Sequence, residues 1–247
     1  MKQTRSLMGM HITIEVADKN VKQKDIDKIY DYFTYIDEKF STFKTTSEIS
    51  LINNNIIEKD QYSSCMKIVL SLCEETKNQT NGYFDIFHNG KLDPSGLVKG
   101  WSIKKASDLL KKRGFKNFYI DAGGDIQVAG KNGKGESWTV GIRNPFNSKE
   151  IVKVLSLENK GIATSGTEIR GQHIYNPRKP TAEIKDIVSL TVIGLNVYEA
   201  DRFATAAFAM GEKGINFIEK LSGFEGYMID KKGIATYTSG FDKYKKL

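Results

Sequence analysis

Cysteine, histidine and proline are all scarce in this chain of 247 residues, which carries two, three and four of them. Cys65 and Cys73 lie eight positions apart in a segment of helical spacing. Eight residues of straight helix separate two side chains by about 12 Å, too far for a disulfide. With no metal-ligand spacing around them, they read as small buried thiols of a reducing compartment. The histidines are His11, His88 and His173, and no G-x-S-x-G elbow accompanies them, which argues against a serine hydrolase. No apolar run approaches the roughly 18 residues of a membrane span. Residues 1–10 lack the apolar centre of a signal peptide, so the sequence reads as cytoplasmic. A dense basic block is also missing. The formal charge of +7 is spread over pairs such as Lys104-Lys105, Lys111-Lys112 and Lys231-Lys232, with one short cluster at 243–246. A nucleic-acid face interleaved with stacking aromatics is therefore not expected, whereas a diffuse positive field suits a small anionic ligand such as a diphosphate.

What is present describes an ordinary folded protein. Hydrophobic residues make up 39% and charged residues 27%, enough for one structural unit over 1–247. Alternation around Ile12, Ile14 and Val16 predicts a strand over 9–17. Apolar residues recur at helical spacing over 22–42 and 63–78, and a third helix is expected over 97–113, closed by Gly114. Short β-type runs follow at 118–120, 125–128, 138–142, 151–157, 161–164 and 186–193. Helices at about 198–210 and 212–221 then precede strands at 226–230 and 233–237. Early helices and later hairpin-like strands predict an α+β fold with a largely antiparallel sheet and packed helices. No internal repeat or linker is visible.

Four stretches are richer in glycine and small polar residues than folding requires. Asp93-Pro-Ser-Gly-Leu-Val-Lys-Gly100 reads either as a capped helix start or as a loop whose backbone approaches an anion, with Lys99 placed for a phosphate. Asp121-Ala-Gly-Gly-Asp-Ile126, between two strands, reads first as a hairpin turn, which Asp and Gly-Gly support. Ala163-Thr-Ser-Gly166 precedes His173, a general base or a loop histidine. In Glu199–Gly211, Asp201 and Thr205 are four apart and share one face of a helix. A carboxylate and a hydroxyl are oxygen ligands of the kind magnesium prefers, although a close-packed alanine-rich helix explains the same residues.

In order along the chain, Met8-Gly9, Ser41-Thr-Phe43, Ser47-Glu-Ile-Ser50, Gly82-Tyr-Phe-Asp85, Asp93–Gly100, Gly123-Gly-Asp-Ile126, Ala163-Thr-Ser-Gly166, His173-Ile-Tyr-Asn-Pro177 and Ala200-Asp-Arg-Phe-Ala-Thr205 resemble the ApbE family of FAD:protein FMN transferases. The resemblance implies a tunnelling-fold type of α+β architecture. It implies that Met8, Phe43, Tyr83, Phe84, Asp85, Asp93, Lys99 and Ile174 line an FAD site. Mg2+ would be held by Asp201, Thr205 and the carbonyl of Gly96. His173 would activate the hydroxyl of a threonine or serine on an acceptor flavoprotein. Met10 replaces the usual threonine, and Pro177 is followed by Arg-Lys-Pro. The rival expectations are an FAD pyrophosphatase yielding FMN and AMP, and a flavin-binding protein without catalysis.

Overall fold

The computed structural model describes residues 1–167 and 174–246. The chain begins with a hairpin, β1 (Lys2–Leu7) and β2 (Met10–Val16), then enters α1 (Gln23–Phe40), α2 (Glu48–Asn53) and α3 (Ser64–Gln79). A small hairpin, β3 (Phe87–His88) and β4 (Lys91–Leu92), leads into α4 (Ser95–Lys112). Strands β5 (Phe118–Ala122), β6 (Asp125–Ala129), β7 (Trp138–Asn144), β8 (Asn147–Leu157), β9 (Gly161–Gly166) and β10 (Ile187–Gly194) follow. The chain ends with α5 (Val197–Ala209), α6 (Gly214–Glu219), β11 (Glu225–Asp230) and β12 (Ala235–Tyr237).

Among the described residues, eight strands form one sheet in the order β1-β2-β5-β6-β9-β10-β11-β12, with every neighbouring pair antiparallel. The expected α+β class with a large antiparallel sheet is thus the observed one. The sheet has two halves of like plan. In one, hairpin β1–β2 and hairpin β5–β6 flank helices α1 to α4; in the other, β9–β10 and β11–β12 flank α5 and α6. The two join where Ile126 and Gln127 pair with Ile162 and Gly161. No sequence repeat announces this plan, because the halves share strand order and not side chains.

The helices cover one face. Ile26, Ile29, Tyr30, Phe33 and Ile36 of α1 are buried, and they recur every three or four residues as a helix with one apolar stripe must arrange them. Ile103, Ala106 and Leu110 of α4 meet them over Ile12, Ile14, Phe118 and Ile120. On the other face, Trp138, Val140, Ile142, Leu155 and Leu157 of the β7–β8 hairpin pack against Val128, Ile162, Tyr227 and Ile229. Covered on both sides, β6 is buried at all five positions, so its sequence loses the alternation of a half-exposed strand. None of the described helices is long and apolar enough to cross a membrane.

Several elements depart from the sequence reading. Strand β1 is a polar edge strand, KQTRSL, and carries no apolar alternation. Helix α2 and the β3–β4 hairpin are too short for a periodic signal. Helix α4 begins at Ser95, so Gly96 and Gly100 sit within its first turns instead of in a loop. They serve close packing: a Cβ on Gly100 would lie 2.6 Å from Asp201 Cβ and 2.7 Å from the Val197 carbonyl. The sheet also approaches α5 closely at Gly161, where a Cβ would come within 1.9 Å of the Val197 nitrogen. Backbone cannot yield as a side chain can, so Gly161→Ala should destabilise the protein by about 3 kcal/mol, the upper end of the usual overpacking cost. A denaturant melt measures it; an unchanged midpoint would refute so tight a junction.

Candidate functional site

A cleft of about 920 Å³ opens beside the junction of the two halves, bounded by the 42–54 segment, the β3–β4 hairpin, the start of α4, the β5–β6 turn, β7, β9 and α5. That volume is in the range of small-molecule and cofactor sites.

Its floor is built on two helices. Asn196 caps α5, its side chain accepting from the Glu199 N–H at 3.1 Å. Asp201 and Thr205 then project from successive turns of one face. On α4 the missing side chains of Gly96 and Gly100 let the helices meet there. The Gly100 N–H donates to Asp201 Oδ2 at 2.7 Å, and the Thr205 hydroxyl donates to the Gly96 carbonyl at 3.2 Å. Ser165 Oγ of β9 lies 3.5 Å from Thr205 Oγ1. A carboxylate, two hydroxyls and a carbonyl make an oxygen-only donor set, which hard divalent cations take.

Charge is concentrated at the same point. Asp125 is 1% exposed and Asp201 4%. Lys99 Nζ lies 2.7 Å from Asp125 Oδ2, and the Thr164 N–H donates to Asp125 Oδ1 at 3.1 Å. Burial pushes the Asp201 carboxyl well above the ordinary carboxylate range; the Asp125 carboxylate pushes the same way, and Lys99 and the Gly100 N–H pull back. Among the described residues, two buried carboxylates, Asp125 and Asp201, face Lys99 at the floor, an arrangement that suits a cation. Nearby, Asp121 accepts from the Gly124 N–H at 2.9 Å and the Tyr119 hydroxyl at 3.2 Å, and burial raises its carboxyl too.

The walls sort the remaining expected residues. Phe43 stands on the rim at 96% exposure. Tyr83 and Ile174 are half-buried cleft residues, and the Arg178 guanidinium sits 5.0 Å from the Tyr83 ring centroid. Asp85 also lines the cleft, paired with Lys77 at 2.7 Å. Asp93 accepts from the Ser95 N–H at 3.0 Å as α4 begins. Phe84 touches the cleft from a core position, 3% exposed and 3.4 Å from where a Gly96 Cβ would stand. Met8 is not among the lining residues; Gly9 and Met10 are. Met8 and Gly9 form the two-residue turn of the β1–β2 hairpin at φ 54° and 69°, and Met8 packs into the core beneath. His173 lies outside the described residues.

The sequence reading assigned no role to Asp125, Asp121, His88 or Tyr175. Asp125 and Asp121 stood within the Gly-Gly turn segment, whose hairpin explanation was sufficient. The rings of His88 and Tyr175 stack at 3.9 Å and 27° across 87 residues of sequence, a contact that spacing cannot reveal. The Tyr175 hydroxyl donates to the Asp85 carbonyl at 2.8 Å, and burial pushes it up to about 12.

Residues 8–90 and 87–228 match the model of the ApbE family. FAD:protein FMN transferases from Vibrio cholerae and Escherichia coli K12 are 29% and 28% identical over 131 and 151 residues. Those alignments take in 49% and 58% of this chain and only 39% and 43% of the relatives. The FAD:protein FMN transferase of Chlamydia muridarum is 26% identical over 84% of this chain and 82% of its own. Among solved structures, the flavin transferase ApbE from Vibrio cholerae superposes with a TM-score of 0.85 at 20% identity, covering 99% of this chain and 98% of that one. The Thermotoga maritima ApbE protein gives 0.84 at 19%, covering 100% and 99%. The ordered segments, the fold and the family match agree, and the chain belongs to the ApbE family.

Proposed function

We propose that this protein is a magnesium-dependent transferase that splits FAD, attaches the FMN half to a threonine or serine hydroxyl of an acceptor flavoprotein, and releases AMP. The reading is carried by the meeting of Asp201, Thr205, the Gly96 carbonyl and Lys99 at the floor of one large cleft. The names of the relatives support the same activity.

The donor set fits magnesium, since it offers oxygen atoms only and leaves room in an octahedron for water and phosphate oxygens. Bound there, the ion would draw charge from the phosphoryl oxygens of the anhydride. Lys99, anchored by Asp125, directs its ammonium to the same region and steadies negative charge on the departing AMP. His173 takes the proton of the acceptor hydroxyl; this role rests on the family resemblance. The freed oxygen attacks the FMN phosphorus, and the bond from that phosphorus to the AMP oxygen breaks. Phe43, Tyr83 and Ile174 supply apolar walls for the flavin, Phe84 backs them from the core, and Asp85 and Asp93 offer acceptors to polar edges of the dinucleotide. Met8 acts through the turn that sets Met10 against the cleft. On this reading residues 1–247 work as one catalytic unit.

The test is mass spectrometry of a candidate acceptor flavoprotein after incubation with this protein, FAD and magnesium. A mass gain equal to esterified FMN is expected. AMP release with no such gain would mean that water is the acceptor and the protein a pyrophosphatase.

Lys99→Ala should weaken FAD binding by about 1–3 kcal/mol, the scale of a charge-assisted hydrogen bond. It also strips Asp125 of its cation, so magnesium-free thermal stability should fall in the same variant. Calorimetry showing unchanged FAD affinity would confine Lys99 to a structural role.

A further inference from the structure

Strand β7 borders the cleft with an edge that nothing in the proposed reaction has used. Among the described residues it pairs with β8 alone, and its register sets Gly141 opposite Val154 and Thr139 opposite Ser156. The Val154 carbonyl accepts from the Lys246 N–H at 3.0 Å, and Leu155 bridges Lys245. Val154 therefore turns its backbone groups toward the C-terminal tail and away from β7. In an antiparallel pair, bonded and non-bonded positions alternate, and both members of a non-bonded pair point outward. The N–H and C=O groups of Gly141 and Thr139 must then leave β7 on the side opposite β8.

That side is the cleft. Val140, whose side chain enters the core, lines the same space as Gly141 and as Thr139 and Arg143, whose side chains take the other face. Residues of both faces can touch one cavity only where it abuts the strand edge. Among the described residues no hydrogen bond reaches those four outward groups. Ile151, 49% exposed, lies over Gly141, where a Cβ would come within 2.9 Å of it, and presents an apolar side chain beside the edge.

We infer that the acceptor polypeptide docks as an extended strand on this edge, its main chain exchanging hydrogen bonds with Thr139 and Gly141 so that its threonine or serine enters the cleft. The inference rests on the transferase reading, which requires a protein hydroxyl to be delivered beside bound FAD. Two N–H and two C=O groups about 7 Å apart along a strand match the repeat of an extended polypeptide, and an open edge is a ready template for one.

The experiment starts from an equimolar library of ten-residue peptides, each with one central threonine, incubated with the protein, FAD and magnesium. Fluorescent products are sequenced by mass spectrometry, and the best substrate is resynthesised with single backbone N-methyl groups. Methylation at alternate residues should lower kcat/KM about tenfold for each bond lost, with the intervening residues insensitive. Thr139→Pro removes one outward N–H from an edge that accommodates proline and should lower peptide kcat/KM about tenfold with FAD affinity retained. Thr139→Val, which keeps the N–H, should restore turnover, and thermal melts establish that both variants are folded.

A flat N-methyl profile, or equal losses in the proline and valine variants, would overturn the inference. So would Thr139→Pro weakening FAD binding, since the edge would then hold the dinucleotide. A library with no substrate, while a folded flavoprotein is modified, would mean recognition of a folded surface. Absence of both AMP release and transfer to any acceptor would instead sink the transferase reading itself.

Discussion

Asp201→Asn is expected to slow FMN transfer at least about a thousandfold, which corresponds to the several kcal/mol a metal contributes to charge stabilisation in the transition state. Asparagine keeps an acceptor for the Gly100 N–H, now bonded at 2.7 Å, so the helix contact survives and only the charge is removed. Asp201 is buried beside Asp125, and this makes the variant informative about stability as well. In the metal-free protein, burial and Asp125 raise the Asp201 carboxyl above its ordinary value of 3.8. The native state then binds that proton more tightly than the unfolded chain does, so stability falls as pH rises above the ordinary carboxylate range. Metal-free Asp201→Asn should lose this slope and melt no lower than the parent near neutral pH. Magnesium should raise the melting temperature of the parent and leave the variant where it was. Equal magnesium shifts in both proteins would remove Asp201 from the metal site, and wild-type transfer would remove it from the reaction.

His173→Ala should cost turnover and spare binding. A general base matters only when a proton moves, so FAD titration should give an affinity within a few-fold of the parent. Transfer, followed by flavin fluorescence of the acceptor after electrophoresis, should fall by roughly two to four orders of magnitude. Equal losses of binding and turnover would make His173 a ligand contact, and full retention of both would leave it without a role.

Arg202 illustrates how structure changes the meaning of a motif. It follows Asp201 in Ala200-Asp-Arg-Phe-Ala-Thr205, yet it faces away from the cleft. Its guanidinium pairs with Glu199 and donates to Thr76 Oγ1 at 3.1 Å and Gln79 Oε1 at 2.5 Å. One residue of helix is a turn of about 100°, so neighbours in a motif serve opposite faces: Asp201 the site, and Arg202 the bond between α5 and α3.

Local rules decided much of this protein before any folding. Period 3.6 in Ile26–Phe40 and period 2 in Ile12–Val16 are forced by backbone geometry, so α1 and β2 were legible as helix and strand. A spacing of four placed Asp201 and Thr205 on one helical face for the same reason, and Gly-Gly specified the β5–β6 turn at φ 62° and 97°. Contacts between distant segments were decided only in three dimensions. Asp125 becomes a site residue because β6 carries it under Lys99 and beside Asp201, 76 residues on. Gly96 and Gly100, expected to approach a ligand, are spent on the approach of α4 to α5, and that packing supplies the Gly96 carbonyl and the Gly100 N–H. The outward edge of β7 is fixed by the C-terminal tail pairing with β8, about a hundred residues away. Sequence spacing determines which side chains share one element, but the distance between two elements follows from how their buried faces fit, and here that fit made the cleft.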